Sequence, residues 1–185
     1  MKSAPEESLS DIRDMEHNSR LSLKTRQEKN DDEMQFVEFL LGHEFFAVNL
    51  FHTREVIVQG EITQIPNTPD YIRGVMDLRG SITTIIDVKI LLNIPQTDEK
   101  IKKSRIIILD QQNQQKPIGI LVDDVYSVSS HRLANIDKKS KGDAKNPDTI
   151  LGVIRKTINH GESEEHKLIL WLDIVAIRKS VERDL

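Results

Sequence analysis

The polar side chains that could do chemistry in this sequence are few and poorly grouped. Asp123 and Asp124 form an adjacent acidic pair, and His160 and His166 enclose the segment Gly-Glu-Ser-Glu-Glu. Paired carboxylates can act as a general acid and base, and a histidine–glutamate segment can hold a divalent metal. Because neighbouring residues of a strand point to opposite faces, the two aspartates are not expected to converge. We interpret the histidine segment as a solvated turn.

Motifs of common enzyme classes are absent from the sequence. The chain has no cysteine, which excludes disulfides, thiolate zinc sites, iron–sulfur clusters and cysteine nucleophiles. It contains neither a G-x-x-x-x-G-K-[ST] phosphate loop nor a G-x-G-x-x-G turn, and its six histidines lack the H-E-x-x-H spacing. We therefore expect no catalytic residue, no metal ligand and no cofactor, and the sequence favours a binding protein over an enzyme.

Composition and charge narrow the possible partners. The 185 residues carry 26 basic and 30 acidic side chains, interspersed, for a net charge of −4. A protein that coats nucleic-acid phosphates usually has a basic excess, so we expect no nucleic-acid partner. The longest apolar runs are far shorter than the roughly 20 residues of a membrane-spanning helix, and the N-terminus lacks a signal-peptide core. We expect a cytoplasmic protein with no direct membrane insertion.

The first part of the chain differs from the rest. Residues 1–33 hold 15 charged side chains and no aromatic one. Such a segment can bury too little apolar surface to offset the entropy lost on ordering. The sequence therefore predicts a disordered polar N-terminal tail over residues 1–33 and a folded domain over residues 34–181.

Short apolar segments separated by turn residues predict the strands of that domain. Met34–Leu41 and Phe45–Leu50 flank a turn at Gly42, and all five phenylalanines lie between residues 36 and 51. Further strands are predicted over residues 71–78, 82–88, 105–110, 117–128, 150–154 and 167–173. Asp173–Arg183 has the pattern of a closing helix with Asp173 as its N-cap. Many short strands and one late helix indicate barrels or a sandwich.

One ordered set of motifs is more specific. Residues 69–88, PDYIRGVMDLRGSITTIIDV, contain an aromatic-Ile-basic-Gly entry, a Gly-x-x-x-Leu-Arg-Gly turn and an apolar strand that ends in Asp. On either side of it, in collinear order, lie the hairpin region Glu38–Val58 before it and, after it, the Gly-Ile-Leu-Val-Asp segment at residues 119–123 and the strand Leu168–Ile174. Together these segments resemble the CheW family of chemotaxis coupling proteins.

The resemblance implies a mainly β fold: a CheW-like pair of small intertwined SH3-like β-barrels with a short internal helix and a C-terminal helix. It implies a non-enzymatic scaffold that couples chemoreceptors (methyl-accepting chemotaxis proteins) to the histidine kinase CheA in chemotaxis signal transduction. The implied partners are the regulatory domain of a CheA-type kinase and the cytoplasmic helical hairpin tip of a receptor. An adaptor with these partners would be cytoplasmic and recruited to membrane-associated receptor arrays.

The resemblance also assigns site residues by position. The receptor-binding residues it implies are Thr53, Glu55, Arg79 and Val128, with Ile57 and Val58 as further candidates. The kinase-binding residues it implies are Ile72, Arg73, Gly74, Ser81 and Thr83. Gly74, Gly80 and Asp87 are also expected to serve as structural turn residues.

Several of these residues have a structural interpretation as well. Arg79, at a hairpin tip, could pair with Glu55 or Asp77 and only fix the turn, and Val128 could belong to the core. Two other positions depart from the family pattern near surfaces that its members use for partners: Arg105 stands where an apolar residue is common, and Asp124 where glycine is common.

Three alternatives remain at the level of sequence. The first keeps the fold but places the protein in a non-flagellar chemosensory pathway, such as one that controls pili or development. The second is a small β-barrel nucleic-acid-binding module. The third is a carboxylate-dependent hydrolase that would use Asp123 or Asp87 with a histidine.

Overall fold

The computed structural model describes residues 32–95, 104–110, 116–138, 149–160 and 163–184. The tail predicted over residues 1–33 lies outside these ranges except for its last two positions. Within the described ranges, the chain forms strands β1 (Glu33–Leu41), β2 (Glu44–Asn49), β3 (Thr53–Val58), β4 (Ile72–Leu78), β5 (Ser81–Asp87), β6 (Arg105–Leu109), β7 (Ile118–Val122), β8 (Asp124–Arg132), β9 (Ile136–Lys138), β10 (Ile150–His160) and β11 (Ser163–Leu172). The helices are α1 (Val88–Leu91) and α2 (Ile174–Asp184).

The strands form two mixed sheets. Sheet A has the strand order β8-β1-β2-β11-β10-β9, and sheet B has the order β3-β6-β7-β5-β4. The chain begins in sheet A with the β1–β2 hairpin, builds all of sheet B, and then returns to sheet A. Each sheet contains one parallel pair, β2 with β11 and β5 with β7. The two halves are therefore intertwined by the path of the chain.

Both sheets curl strongly. In sheet B, β3 and β4 lie at opposite edges, yet Thr63, shortly after β3, exchanges two backbone hydrogen bonds of 2.8 Å with Val75 of β4. In sheet A, Nζ of Lys156 on β10 lies 3.3 Å from the hydroxyl of Ser129 on the edge strand β8. Each curled sheet thus has an inner face of its own and an outer face.

Three apolar clusters follow from this arrangement. The largest combines both sheets with α2 and includes Phe39, Phe46, Ile107, Ile120 and Ile177. The inner face of sheet A is filled by Phe36, Ala47, Ile136, Ile154, Ile169 and Trp171. The inner face of sheet B is filled by Ile85, Ile106 and Ile108. Since many strands are apolar on both faces, their sequences are near-continuous hydrophobic runs rather than alternating ones.

The C-terminal helix packs on the shared cluster. Asp173 caps it, since its Oδ1 accepts the backbone N–H of Ala176 at 3.0 Å, as the sequence predicted. The buried Arg178 donates from both terminal nitrogens, at 3.0 Å each, to the carbonyl oxygens of Asp110 and Lys116. The helix thereby fastens the two strands β6 and β7 at one end.

Some elements differ from the prediction. The segment Leu50–Val58, whose middle and end were assigned to no element, divides into a 3-10 turn, Leu50–His52, and strand β3. Strand β9 was not predicted, and the short internal helix α1 was expected from the resemblance but not at Val88–Leu91. Strands β10 and β11 extend well beyond their apolar parts. The extensions pair with each other in a long antiparallel hairpin, so their backbone hydrogen bonds are satisfied although their side chains are polar.

Candidate partner-binding surfaces

The β4–β5 hairpin ends in a two-residue turn at Arg79 and Gly80. Both residues have positive φ, 54° and 83°, as a type I′ turn requires. Oδ1 of Asp77 accepts the N–H of Gly80 at 2.6 Å and braces the turn. Asn or Gly is the usual occupant of the first turn position, and an arginine there is uncommon. An uncommon conformation at an exposed residue points to a role for its side chain.

The Arg79 guanidinium reaches across sheet B to Glu55 on the edge strand β3. Its two terminal nitrogens lie 3.0 and 3.5 Å from the two carboxylate oxygens. Because the Arg79 side chain is 75% exposed, the ion pair contributes about 1 kcal/mol or less to stability. The pair therefore holds two opposite charges in a defined geometry at the surface without being needed for the fold.

Residues assigned to kinase binding lie beside the Glu55–Arg79 pair. A small cavity of about 90 Å³ between β3 and the β4–β5 hairpin is lined by Arg54, Glu55, Leu78, Arg79, Ser81, Thr83, Ile108, Leu109 and Pro117. The structure thus brings the predicted receptor residues Glu55 and Arg79 next to the predicted kinase residues Ser81 and Thr83.

The remaining receptor candidates are distributed over two sheets. Thr53 is half-buried on β3, and Ile57 packs into the inner cluster of sheet B. Val58 is 51% exposed on β3, and Val128 is 59% exposed on β8 of sheet A. Exposed valines at the edges of two sheets are available to a partner that lies between them, whereas Ile57 is not.

A contact between the two sheets lies beside Val58. Val58 is paired with Arg105 in the β3–β6 ladder, and Nε of Arg105 lies 3.7 Å from Oδ1 of Asp124, the first residue of β8. The two departures from the family pattern are therefore neighbours. Val128 follows four residues further along the same strand.

The predicted kinase residues differ in accessibility. The side chains of Ile72 and Thr83 are buried, whereas Arg73 is exposed and Ser81 is half-buried. Gly74 has φ +135°, and a Cβ there would lie 2.1 Å from the carbonyl oxygen of Thr63. Gly74 is thus required for the close approach of the preceding loop, and Arg73 and Ser81 remain as the accessible members.

The carboxylates considered for hydrolysis are held in structural contacts. Asp87 caps α1, where its Oδ1 accepts the N–H groups of Lys89 and Ile90 at 3.0 and 3.4 Å. Buried Asp123 accepts from Nζ of Lys89 at 2.5 Å and from the N–H of Gly42 at 2.6 Å. Exposed Asp124 turns elsewhere, to Arg105. Among the described residues, no group of three potential metal ligands comes together.

A buried polar network inside sheet A was not predicted. Glu38 on β1 is only 1% exposed. Its carboxylate accepts from Nε2 of His131 at 2.7 Å, from Nζ of Lys156 at 2.6 Å and from the hydroxyl of Ser127 at 2.9 Å. Burial alone would raise the pKa of Glu38, but these hydrogen bonds outweigh burial and lower the pKa from 4.5 to about 2. The sequence signal was a lone glutamate within the apolar run MQFVEFLL.

The comparison with known families decides the identity of this fold. The model of the CheW-like domain matches residues 35–182. The chain belongs to the CheW family. Chemotaxis protein CheW of Helicobacter pylori is 25% identical over 122 residues, which cover 66% of this chain and 72% of the relative. Chemotaxis protein CheW of Bacillus subtilis is 26% identical over 146 residues, which cover 77% of this chain and 85% of the relative.

A solved structure gives the same result. The scaffolding protein CheW of Thermoanaerobacter tengcongensis superimposes with a TM-score of 0.65 and 27% sequence identity, over 76% of this chain and 84% of that chain. The predicted mainly β, CheW-like fold with a short internal helix and a C-terminal helix is confirmed, and its strands form two sheets. This CheW-family protein is a non-enzymatic scaffold or coupling protein of chemotaxis signalling. In the described part of the chain, none of the helices has the length and hydropathy to cross a membrane.

Proposed function

We propose that this CheW-family protein links the cytoplasmic hairpin tip of a methyl-accepting chemoreceptor to the regulatory domain of a CheA-type kinase, in the cytoplasm at membrane-associated receptor arrays. The observation that carries the proposal is the Glu55–Arg79 pair. Its two charges are fixed at the surface at 3.0 Å by an arginine in an uncommon backbone conformation, and they add little to stability. Such a pair is suited to orient a partner with complementary charges.

The receptor site that we propose lies between the exposed edges of the two sheets. An amphipathic helical hairpin would lay apolar side chains against Val58 and Val128, while its charges meet Glu55 and Arg79. Thr53, two residues before Glu55 on β3, would lie at the same rim. Apolar burial then supplies affinity, and the charged rim supplies orientation and the association rate.

The kinase site that we propose uses the accessible residues of the β4–β5 hairpin, Arg73 and Ser81. Arg73 and Ile72 line a cavity of about 450 Å³ together with Ile90 of α1 and the loop before β4, whose lining residues are Gln64, Ile65, Thr68, Pro69 and Asp70. Buried Ile72 and Thr83 and the constrained Gly74 would keep this surface in shape. The kinase would therefore contact the side chains of Arg73 and Ser81 and the rigid loop before β4.

The substitution Arg79→Glu tests the receptor site. It reverses the charge at the turn, so we expect the affinity for a purified receptor hairpin fragment to fall by about tenfold or more, with the melting temperature nearly unchanged. Lys179→Glu, the same change on the exposed side of α2, is the matched control and should leave the affinity as it is. A folded Arg79→Glu protein with wild-type affinity would contradict the site, and a variant that melts would show that Arg79 is structural.

The coupling role is tested by reconstitution. Full-length protein, receptor fragment and the CheA-type kinase of the same organism should form a ternary complex that raises kinase autophosphorylation. If complex formation occurs only with the kinase of a pathway for pili or development, the coupling role stands and the pathway is non-flagellar. If well-folded protein binds neither kinase nor receptor, the proposal is wrong.

A further inference from the structure

Strand β8 is an unusual edge strand. Among the described strands of sheet A, β8 is paired with β1 alone. Three alternate side chains, Ser127, Ser129 and His131, turn towards buried Glu38 or its partner Lys156, while Val128 and Ser130 between them are exposed. Over this stretch the inward face of the strand is therefore polar, and besides the contact of the His131 ring with Phe36 its side chains reach the interior through hydrogen bonds.

The holding contacts converge on one carboxylate. Glu38 receives hydrogen bonds from Ser127 and His131 of β8 and from Lys156 of β10. Lys156 also lies 3.3 Å from the hydroxyl of Ser129, and the two serine hydroxyls are 3.1 Å apart. One negative charge thus links three strands, β1, β8 and β10, across the inside of the curled sheet.

The charge of Glu38 is what makes this link strong. Hydrogen bonds to an ionised acceptor are about twice as strong as those between neutral groups. A neutral side chain of the same shape would weaken the bonds from β8 and leave the half-buried ammonium of Lys156 without its counter-charge. Ser127 and Ser129 flank Val128, so any loosening of the network moves that residue first.

We propose that Glu38 is a positioning residue for partner binding: from inside sheet A it fixes β8, and thereby the exposed Val128 that the receptor contacts. This inference rests on the proposed function, since that function assigns Val128 to the receptor site. Glu38 itself touches no partner, and its effect passes through Ser127, Ser129 and His131.

The test is Glu38→Gln in the full-length protein, which keeps the shape of the side chain and removes its charge. We expect the backbone amides of β8 to exchange hydrogen faster, while those of β6 and β7 in sheet B keep their rates. The affinity for the receptor hairpin fragment should fall by about tenfold. The affinity for the kinase regulatory domain should stay within about twofold, because Arg73 and Ser81 lie in sheet B.

Two further variants keep the test decisive. Ser130→Ala removes a hydroxyl from the exposed face of the same strand and should change neither exchange nor affinity. The double substitution Ser127→Ala and Ser129→Ala leaves the Glu38–Lys156 ion pair in place but removes the links to β8. It should lower the affinity for the receptor hairpin fragment by a smaller factor than Glu38→Gln does. If Glu38→Gln fails to fold, this double variant tests the proposal in its place.

The outcomes separate the inference from the proposed function. Equal losses of receptor and kinase affinity, or unchanged β8 exchange in a folded Glu38→Gln protein, would overturn the inference. If wild-type protein binds the kinase but no receptor fragment, the receptor site of the proposed function is wrong. Faster β8 exchange in Glu38→Gln would then still establish the positioning of the strand, and unchanged exchange would overturn that as well.

Discussion

The two curled sheets enclose interiors of opposite chemistry. Sheet B is filled by aliphatic side chains, with Ile85, Ile106 and Ile108 fully enclosed. Sheet A combines aromatic and aliphatic residues with a buried carboxylate that receives three hydrogen bonds. The positions of the notable ion pairs are also reversed, since sheet B carries the Glu55–Arg79 pair outside and sheet A carries the Glu38–Lys156 pair inside.

The difference shows two ways of closing a small sheet. Shape-matched aliphatic side chains close sheet B, and their contribution does not depend on protonation. Directional bonds to a charge close sheet A, which specifies the positions of three strands but makes the closure depend on pH. The half with the charged interior can therefore be loosened by a single proton at Glu38.

The largest effect that we expect comes from the backbone of sheet B. Gly74→Ala would place a Cβ 2.1 Å from the carbonyl oxygen of Thr63, at a φ of +135°. The two atoms cannot move apart without breaking the backbone hydrogen bonds between Thr63 and Val75. The free energy of unfolding in urea should therefore fall by about 5 kcal/mol. Gly80→Ala, at φ +83° with open space around it, is the control and should cost about 1 kcal/mol. Equal costs would contradict this account of how sheet B closes.

The next effect concerns the buried Lys89–Asp123 ion pair, which ties helix α1 to the residue that connects β7 of sheet B with β8 of sheet A. Lys89→Met removes the cation from buried Asp123, which also accepts from the β1–β2 turn at Gly42. An unpaired buried charge should cost about 4 kcal/mol of unfolding free energy. The hydrogen-exchange rates of backbone amides should then rise in both sheets, because this ion pair lies at the connection between them and in the interior of neither. Lys179→Met on the exposed side of α2 serves as the control, and a rise confined to one sheet would be the contrary result.

The pH dependence of stability should separate the halves directly. The pKa of Glu38 is about 2 in the folded protein, below its ordinary 4.5. The stabilisation is therefore fully present above pH 4.5 and is lost as the pH falls from 4.5 towards 2, on the order of 3 kcal/mol in all. In Glu38→Gln this part of the acid sensitivity should vanish. Urea unfolding of both proteins at pH 7 and pH 3 measures it, and a constant difference between them would refute the assignment.

The smallest effect tests the aliphatic interior. Ile108→Val removes one methylene from the inner cluster of sheet B and should cost about 1 kcal/mol. The cost should be the same at pH 7 and pH 3, since no titratable group takes part in this cluster. A cost that changes with pH would show that the two interiors are coupled, and Ile169→Val in sheet A provides the comparison.

Local signals in the sequence were sufficient for most elements. Gly42 and the Arg79-Gly80 pair predicted the two hairpins because such turns need left-handed backbone, which both adopt. Asp173 predicted the start of α2 because a side-chain oxygen satisfies the first N–H groups of a helix. The two partners weighed for Arg79 are both used at the turn: its guanidinium binds Glu55, and Asp77 binds the next N–H.

Long-range polar contacts were beyond the sequence. Glu38 meets His131 and Lys156 across 93 and 118 residues, and no local pattern encodes a pairing at that separation. The burial of Thr83 was equally hidden, because β5 is buried on both faces from Thr83 onward and has no polar side there that reveals its outward direction. The site residues were thus assigned by resemblance. The structure shows which of them are exposed to a partner and which are buried beneath the surface.

The path of the chain through the two sheets has a consequence for synthesis on the ribosome. The phenylalanine-rich hairpin emerges first, yet its parallel neighbour β11, which pairs Ile169 with Phe45, is translated about 120 residues later. All strands of sheet B are complete before that. The nascent protein therefore carries a hairpin with exposed apolar surface while its second half is made. A premature stop codon or slow translation in this interval would most favour aggregation.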